Sequence, residues 1–531
     1  MGDTESVDDQ DSLVEYGIED RPPLSRSLLL GIQHYLTMIG ANIAVPLILI
    51  EELNAGLPEA ATMPAAAQAT FVGTFFVVSG LATLAQTTLG NRYPIVQGAP
   101  FSMLAPALAV LAAAPMLDGM SAWEARLLFL QGAIITAGIA EVVIGYLGLV
   151  GKIREYLSPV VVAPVVALIG LSLFSTGDIT LATNNWYLLG LTLLLIVVFS
   201  QYLDRVSRVF DLYPVLLGIV AAWVVAAVGS WVGIIPAGDP AAIDFSKLTA
   251  EPLVYVPYPL QWGIPRFELS FAIGMFAGVL ASIIESFADY HAVARISGVG
   301  APSKRRINHG IGMEGLANVF SGLMGTGGST SYSENIGAIG LTGVASRLVV
   351  QVGAVAMLVV GVIPLFGRVI ATIPGPIVGG LYIAMFGQIV AVGLSNLKYV
   401  DLDSSRNLFI IGIALFAGMA IPSYMGNVDA AAASMEISGF ELFRQGLADV
   451  PLLGAGLGTE IVSRTVYIIA GVHMAVGGII AFILDNTVPG TREERGLADW
   501  ASITEKDDQF SSAIERASDR VGSDRWPFSG D

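Results

Sequence analysis

Twelve separate windows of about 20 mostly apolar residues run through the chain, near 27–50, 69–89, 125–149, 158–175, 186–203, 212–235, 269–292, 307–324, 346–366, 376–394, 407–422 and 465–484. About 20 such residues are what an α-helix needs to cross about 30 Å of hydrocarbon, where each backbone N–H and C=O must be satisfied within the protein. The pattern predicts an all-α polytopic membrane protein. Composition agrees, with 13% charged residues against roughly a quarter in soluble globular proteins. Two further segments, 95–113 and 325–342, sit where spans belong but are interrupted by Gly, Pro, Ser and Thr. Counted as broken spans, they bring the total to fourteen.

Basic residues set the orientation, because cytoplasmic loops carry the excess of Lys and Arg. With the N-terminus inside, the inner loops hold Arg92, Lys152, Arg154, Arg205, Arg208, Arg295, Lys304, Arg305, Arg306, Arg347, Lys398 and Arg406. The outer ones hold only Arg126, Lys247, Arg266, Arg368, Arg444 and Arg464, and the longest of them fall at about 236–268 and 423–457. Both termini are therefore expected in the cytoplasm of a multi-pass protein, which requires an even number of spans. The interrupted segments are the third and the tenth, so each is third in a set of seven. Two sets with an odd number of spans run in opposite senses, which is an inverted repeat. In transporters of that construction paired discontinuous helices meet near the midplane and form the substrate site, which directs attention to 97–102 and 328–343.

The net charge of -18 belongs largely to the ends. Residues 1–25 read as an acidic, disordered N-terminal tail, 26–485 as the transmembrane domain, and 486–531 as an acidic cytoplasmic C-terminal tail, since such compositions bury too little apolar surface to fold. The start of the chain is acidic, unlike a signal peptide, and the acid excess fits solubility in a salty cytoplasm, as in a halophile. With no basic stripe, nucleic acid is not an expected partner. The chain has no cysteine, and His34, His291, His309 and His473 are far apart, so thiolate chemistry, iron–sulfur clusters and a metal site are not expected.

Ionisable residues inside spans are costly and mark function by default. Five acids qualify: Glu141, Glu285, Asp289, Glu314 and Glu334. Glu285 and Asp289 are four apart and share a helix face, and two carboxylates that close favour holding a proton between them. Glu334 lies in Gly325-Thr-Gly-Gly-Ser-Thr-Ser-Tyr-Ser-Glu334-Asn335-Ile-Gly337. Glycines there allow a turned start to a half-helix, where Ser333 can offer its amide, while the carboxylate can accept ring N–H groups. The counterpart Gln97-Gly98-Ala99-Pro100-Phe101-Ser102 supplies a break, backbone donors and an aromatic that can pack on a flat ring. Together the two segments suit a small planar heterocycle. His34, beside Gln33 in the first span, can bridge the carboxylates to that site. Glu141 and Glu314 read as structural hydrogen-bonding groups, His291, His309 and His473 as ordinary packing residues, and Lys304-Arg305-Arg306 as a positive-inside anchor.

At these residues the sequence resembles the nucleobase-ascorbate transporter family, also called nucleobase:cation symporter family 2, which includes uracil and xanthine permeases. The family motif is Gln/Glu/Pro-Asn-x-Gly, four residues, then Thr and Arg/Lys/Gly; Glu334-Asn335-Ile336-Gly337 through Thr342-Gly343 fits every fixed position. Gln33-His34, the Glu285-x-x-x-Asp289-Tyr290 run and the broken third span agree, and the likeness extends over about 25–490. The resemblance implies fourteen spans in two inverted sevens. A core of spans 1–4 and 8–11 (about 26–150 and 269–366) would move against a gate of spans 5–7 and 12–14 (about 158–235 and 376–485). It implies that Glu285 and Glu334 hydrogen-bond the base, with main-chain groups near Phe101 and Ser333 completing a site that includes Gln33 and Asn335. His34, Asp289 and Glu285 would serve proton coupling, and a homodimer in the plasma membrane is implied. Asp289 stands where some uracil permeases carry His and many purine transporters Asp. Glu334 is more familiar from uracil permeases than from xanthine and urate transporters, which often carry Gln; Pro there would suggest ascorbate.

The expectation is thus proton-coupled nucleobase uptake, with no enzyme activity and no cofactor beyond the coupling ion. Na+ coupling with a purine or urate as solute is the alternative. An anion exchanger of the same architecture is disfavoured, because buried acids at the site repel an anion. A channel or receptor would want a polar stripe through several spans or a large soluble module, and neither is visible.

Overall fold

The computed structural model describes residues 14–36, 38–150, 156–175, 185–248, 254–435, 437–448, 460–497, 510 and 512. In chain order come α1 (Leu24–Leu36), α2 (Ile39–Asn54), α3 (Ala65–Thr88), β1 (Gln97–Gly98), α4 (Leu104–Ala113), α5 (Ala122–Tyr146), α6 (Pro159–Ser175), α7 (Trp186–Gln201), α8 (Pro214–Trp231), α9 (Leu269–Ile296) and α10 (Lys304–Met324). They are followed by β2 (Thr330–Ser331), α11 (Ser333–Thr342), α12 (Arg347–Gly361), α13 (Pro364–Ala371), α14 (Gly375–Ser395), α15 (Ser405–Ser434), α16 (Gly439–Ala448), α17 (Glu460–Gly471) and α18 (His473–Thr487). Local chemistry sets many of the ends. Ser121 and Glu124 form a reciprocal capping box at α5, Ser303 caps α10, and prolines occupy the first turn of α8, α13 and α14.

Each of the fourteen predicted segments contains helix. By length and apolarity alone, six described helices (α3, α5, α8, α9, α14 and α15) suffice to cross a membrane, and the pairs α12–α13 and α17–α18 do so jointly, bent by 77° and 99°. The apolar windows of α8 and α15 are only 22% and 33% buried within the protein. Val220, Val224, Val228, Phe409 and Phe416 face outward there, an apolar exterior suited to lipid. Inside, α5 lies directly against α10: a Cβ on Gly145 would come within 2.2 Å of the Gly312 amide, and one on Gly315 within 2.5 Å of the Val142 amide. Small residues at such contacts let membrane helices approach backbone to backbone.

The two interrupted segments meet. β1 and β2 pair antiparallel, with Gln97 opposite Ser331 and Gly98 opposite Thr330. A ten-residue helix follows each strand, α4 after β1 and α11 after β2. Because the strands are antiparallel, the two half-helices leave this minimal sheet in opposite directions.

Four expectations need correction. The first window, 27–50, is two helices, α1 and α2, rather than one. The windows 346–366 and 465–484 are bent pairs, because Pro364 starts a new helix and α18 restarts at His473 after an extended Val472. α15 runs on past 422, through Pro422 to Ser434, into the predicted outer loop; one proline removes a single backbone bond, and the alanines 430–433 carry the helix forward. The tails are also not wholly free. Residues 14–20 pack against 343–347 through backbone hydrogen bonds, with Val14 and Ile18 buried. Beyond Thr487, Arg495 pairs with Asp485 and Leu497 is buried, as is Phe510, whose ring covers the guanidinium of Arg306 at 5.0 Å. Composition misses such docking because a few apolar residues within an acidic segment suffice for it. Residues 1–13 and most of 498–531 lie outside the described residues.

Candidate functional site

The crossing strands are fixed by polar side chains from the surrounding helices. Thr83 on α3 accepts the Gln97 amide at 2.9 Å. Asn42 Oδ1 on α2 receives the hydroxyl of Ser79 at 3.2 Å and the amide of Ala99 at 3.3 Å, and the Tyr332 hydroxyl donates to the Ala99 carbonyl at 2.8 Å. On the β2 side, Asn318 Oδ1 accepts the Ser329 amide at 2.7 Å, while its Nδ2 donates to Glu141 at 2.7 Å. Glu141 therefore acts as the structural hydrogen-bonding group expected. Gly98 has no room for a side chain, since a Cβ would lie 2.4 Å from the Tyr332 ring and 2.9 Å from Asn42 Oδ1. Overpacking of this kind costs about 1–3 kcal/mol. Gly98→Ala is expected to lower the melting midpoint of the solubilised protein accordingly, and an unchanged midpoint would show that the ring yields freely.

Beside the crossing lies a cavity of about 680 Å³. Five of the predicted site residues line it: Phe101, Glu285, Asp289, Ser333 and Glu334. Glu285 comes from α9 and faces the start of α11, whose first-turn N–H groups have no helical partners and so are donors by geometry. Glu285 and Glu334 are half-buried, and among the described residues their carboxylates accept no hydrogen bond from another residue's side chain. Phe101 packs edge-on against Phe386 with ring centroids 6.4 Å apart. The opposite wall, from α6 and α14, is mostly apolar and includes Val162, Val166, Met385 and Gln388. Ser102, the last residue of the broken segment 97–102, also lines the cavity, as does Gln388, which no motif marks in sequence. Together these surfaces present acceptors, donors and flat apolar faces to a small solute.

Asp289 plays a different part. Its carboxylate accepts Ser331 Oγ at 2.8 Å and Ser333 Oγ at 2.6 Å. Ser331 lies 2.7 Å from Ser286, and Ser286 donates to Glu314 Oε2 at 2.7 Å. Glu314 also receives Ser282 at 2.8 Å and Thr330 at 2.7 Å. A continuous run of hydroxyls thus links a cavity-wall carboxylate to a fully buried one on α10. The expectation that Glu314 is a hydrogen-bonding group holds, but its position as the hub of this run was not legible, because its partners come from α9 and β2, far apart in sequence.

Three predicted residues lie off the cavity wall. His34 is fully buried, with Nδ1 3.2 Å from Asn335 Nδ2. Asn335 Oδ1 accepts the Val96 amide at 2.9 Å. The pair ties α1 and α11 to the segment leading into β1, behind the site rather than in it. Gln33 is half-buried on α1 and does not line the cavity. His291 does line it, while His309 meets Tyr146 edge-on.

Comparison with known proteins places this arrangement. The xanthine/uracil permease profile, described as "Permease family", matches residues 25–426. "Solute carrier family 23 member 1" of Rattus norvegicus is 39% identical, over 91% of this chain and 82% of the relative. "Solute carrier family 23 member 2" of Homo sapiens is 38% identical over 97% and 81%, and "Nucleobase-ascorbate transporter 12" of Arabidopsis thaliana 32% over 92% and 72%. Among solved structures, the transmembrane domain of the cyanobacterial bicarbonate transporter BicA aligns with a TM-score of 0.50 at 17% identity, covering 76% of this chain and 96% of that one. SLC26A9 aligns with a TM-score of 0.54 at 14% identity, covering 74% and 62%. At these identities the two structures show a shared fold alone. With its profile match across most of the sequence and relatives this similar over nearly its whole length, the chain belongs to the nucleobase-ascorbate transporter family, nucleobase:cation symporter family 2, a family of membrane permeases rather than enzymes.

Proposed function

We propose that the protein is a secondary active transporter that imports a nucleobase, uracil or xanthine, by proton symport across the plasma membrane. The observation that carries this reading is the pair Glu285 and Glu334, which line one cavity with Phe101 and the start of α11. A nucleobase presents N–H donors to the carboxylates, C=O acceptors to the backbone amides, and a flat face to the ring. No bond of the solute is made or broken.

The fourteen-span reading, with both termini cytoplasmic and a core moving against a gate, belongs to the same proposal. It is supported by how the helices group. α1 and α3 pack on α12, and α5 on α10, whereas α6 and α7 pack on α14, and α15 on α18. The cavity lies between these groups, with Glu285 and Glu334 on one side and Val162 and Met385 on the other. Sliding of one group past the other would carry a bound base with its acidic wall. The homodimer rests on the family alone.

Proton coupling is supported by the hydroxyl run from Asp289 to Glu314, along which a proton can pass from one carboxyl to the other when Ser286 and Ser331 both turn their O–H groups in the same sense along the run. Uptake in a transport-deficient host is expected to follow an imposed proton gradient and to be independent of Na+ at fixed pH. Uptake that follows a Na+ gradient and ignores the proton gradient would overturn the coupling. Competition of labelled uracil uptake by xanthine, urate, adenine and ascorbate tests the solute: unlabelled uracil or xanthine should compete, and competition by ascorbate alone would refute the nucleobase assignment.

A further inference from the structure

We propose that residues 14–20 form a clip that positions the half-helix carrying Glu334, with Glu19 as its anchor. This inference rests on the transport reading only where it concerns solute affinity. The segment runs beside 343–347, immediately after α11. The Glu15 and Tyr16 amides donate to the Gly343 carbonyl at 2.6 and 3.2 Å, the Ala345 amide donates to Tyr16 O at 2.8 Å, and the Arg347 amide to Ile18 O at 3.2 Å. Ser346 Oγ adds a bond to the Asp20 carbonyl at 2.6 Å, while Val14 and Ile18 bury their side chains.

Glu19 then joins two connections that are remote in sequence. One carboxylate oxygen meets Arg92 at 2.9 Å and the other meets Arg347 at 2.5 Å. Arg92 belongs to the turn between α3 and β1 and holds a left-handed φ of 58°, a conformation that persists in a non-glycine residue only where its surroundings over-determine it. Arg347 begins α12 and also donates to the Thr87 carbonyl at the end of α3, at 3.2 Å. The clip therefore fastens the approach to β1 and the exit from α11 to the same carboxylate.

α11 needs such fastening. It has ten residues, too few to be stable by itself, and its Gly337 and Gly340 face open space where other helices pack. Its start is held by β2 and by Asn335. Its end stops at Gly343, with φ 68°, where the contacts just described add to the burial of Ala338, Ile339 and Val344 in holding it. If the clip is released, α11 can pivot about Asn335 and displace Glu334 and the first-turn amides. Such a displacement weakens the hydrogen bonds of that carboxylate and those amides to the solute, and since one lost bond to a charged acceptor costs about 10- to 150-fold in affinity, a roughly tenfold loss is the expectation.

The test compares the full-length protein with a variant lacking residues 2–20 and with Glu19→Gln. Amide hydrogen exchange is measured without solute, and uptake kinetics at equal membrane abundance. Faster exchange in 333–342 and in 93–98 is expected in both variants. KM for the nucleobase should rise about tenfold with a smaller change in maximal rate, and a peptide covering residues 10–23 should restore the truncated protein. If the truncation does not insert, Glu19→Gln alone carries the test. Wild-type exchange in 333–342 for Glu19→Gln overturns the clip whatever the solute. Faster exchange in a protein whose wild type takes up no nucleobase overturns the transport reading and leaves the clip standing.

Discussion

Glu285→Gln and Glu334→Gln are each expected to cut uptake of labelled uracil and xanthine about 10- to 150-fold at subsaturating solute while leaving the amount of protein in the membrane unchanged. Both carboxylates line the cavity, and among the described residues neither holds another side chain in place, so removing the charge leaves the packing intact. The loss falls on the solute. A hydrogen bond to a charged acceptor contributes about 1.5–3 kcal/mol, and an amide also turns an N–H toward a ring N–H that needs an acceptor. Each substitution alone should thus cost about 10- to 150-fold in affinity. The double variant should show less than the summed effect, because both groups hold one solute. Normal uptake by both single variants would remove the site assignment. Glu141→Gln is the informative contrast: Glu141 is tied to Asn318 behind the strands, so its replacement is expected to act on stability first.

What the sequence reveals and what it hides divide along physical lines. Glu285 and Glu334 stand out because a charge within an apolar window is costly wherever it points, and the Gly98-Ala99-Pro100 break at β1 and Gly325, Gly327 and Gly328 before β2 stand out because they disfavour a continuous helix. The pairing of Gln97 with Ser331 was implied only as a meeting of two broken spans; its register depends on Thr83, Asn42 and Asn318, whose polarity is unremarkable in isolation. Asn335 sits in the motif yet turns away from the cavity to hold Val96 and His34, since a helix start directs successive side chains to different sides. Gln33, in the last turn of α1, does not line the cavity either. The hub at Glu314 is a property of four hydroxyls from α9 and β2, which periodicity cannot bring together. The docking of residues 14–20 is hidden most thoroughly: composition averages the eight acids of residues 1–20 with two buried apolar side chains, and what holds the segment is largely backbone.

The second large effect is expected far from the cavity. Asp485, in the last turn of α18, is fully buried and meets Arg406 at 3.0 Å and Arg495 at 2.7 Å, while Ser158 donates to it at 2.8 Å. Four segments converge on this carboxylate: the start of α6, the start of α15, the end of α18 and the chain beyond it. Arg406 reinforces the junction through the Asp485 and Val488 carbonyls, at 2.6 and 2.9 Å, so the guanidinium stays in place when the carboxylate goes. Asp485→Ala then leaves two largely buried cations facing each other without a counterion, a change that typically costs about 3–5 kcal/mol, a large part of the 5–15 kcal/mol or so that holds a domain together. The expected result is a marked fall in melting midpoint and loss of a monodisperse peak after solubilisation. Asp485→Leu with Arg406→Met and Arg495→Met should recover much of the loss, because an apolar replacement of a whole buried ion cluster is often neutral. A wild-type midpoint for Asp485→Ala would show that these charges are solvated and hold nothing. Since none of these groups shares a partner with Glu285 or Glu334, whatever protein survives should retain its affinity for solute, which separates a failure of the scaffold from a failure of the site.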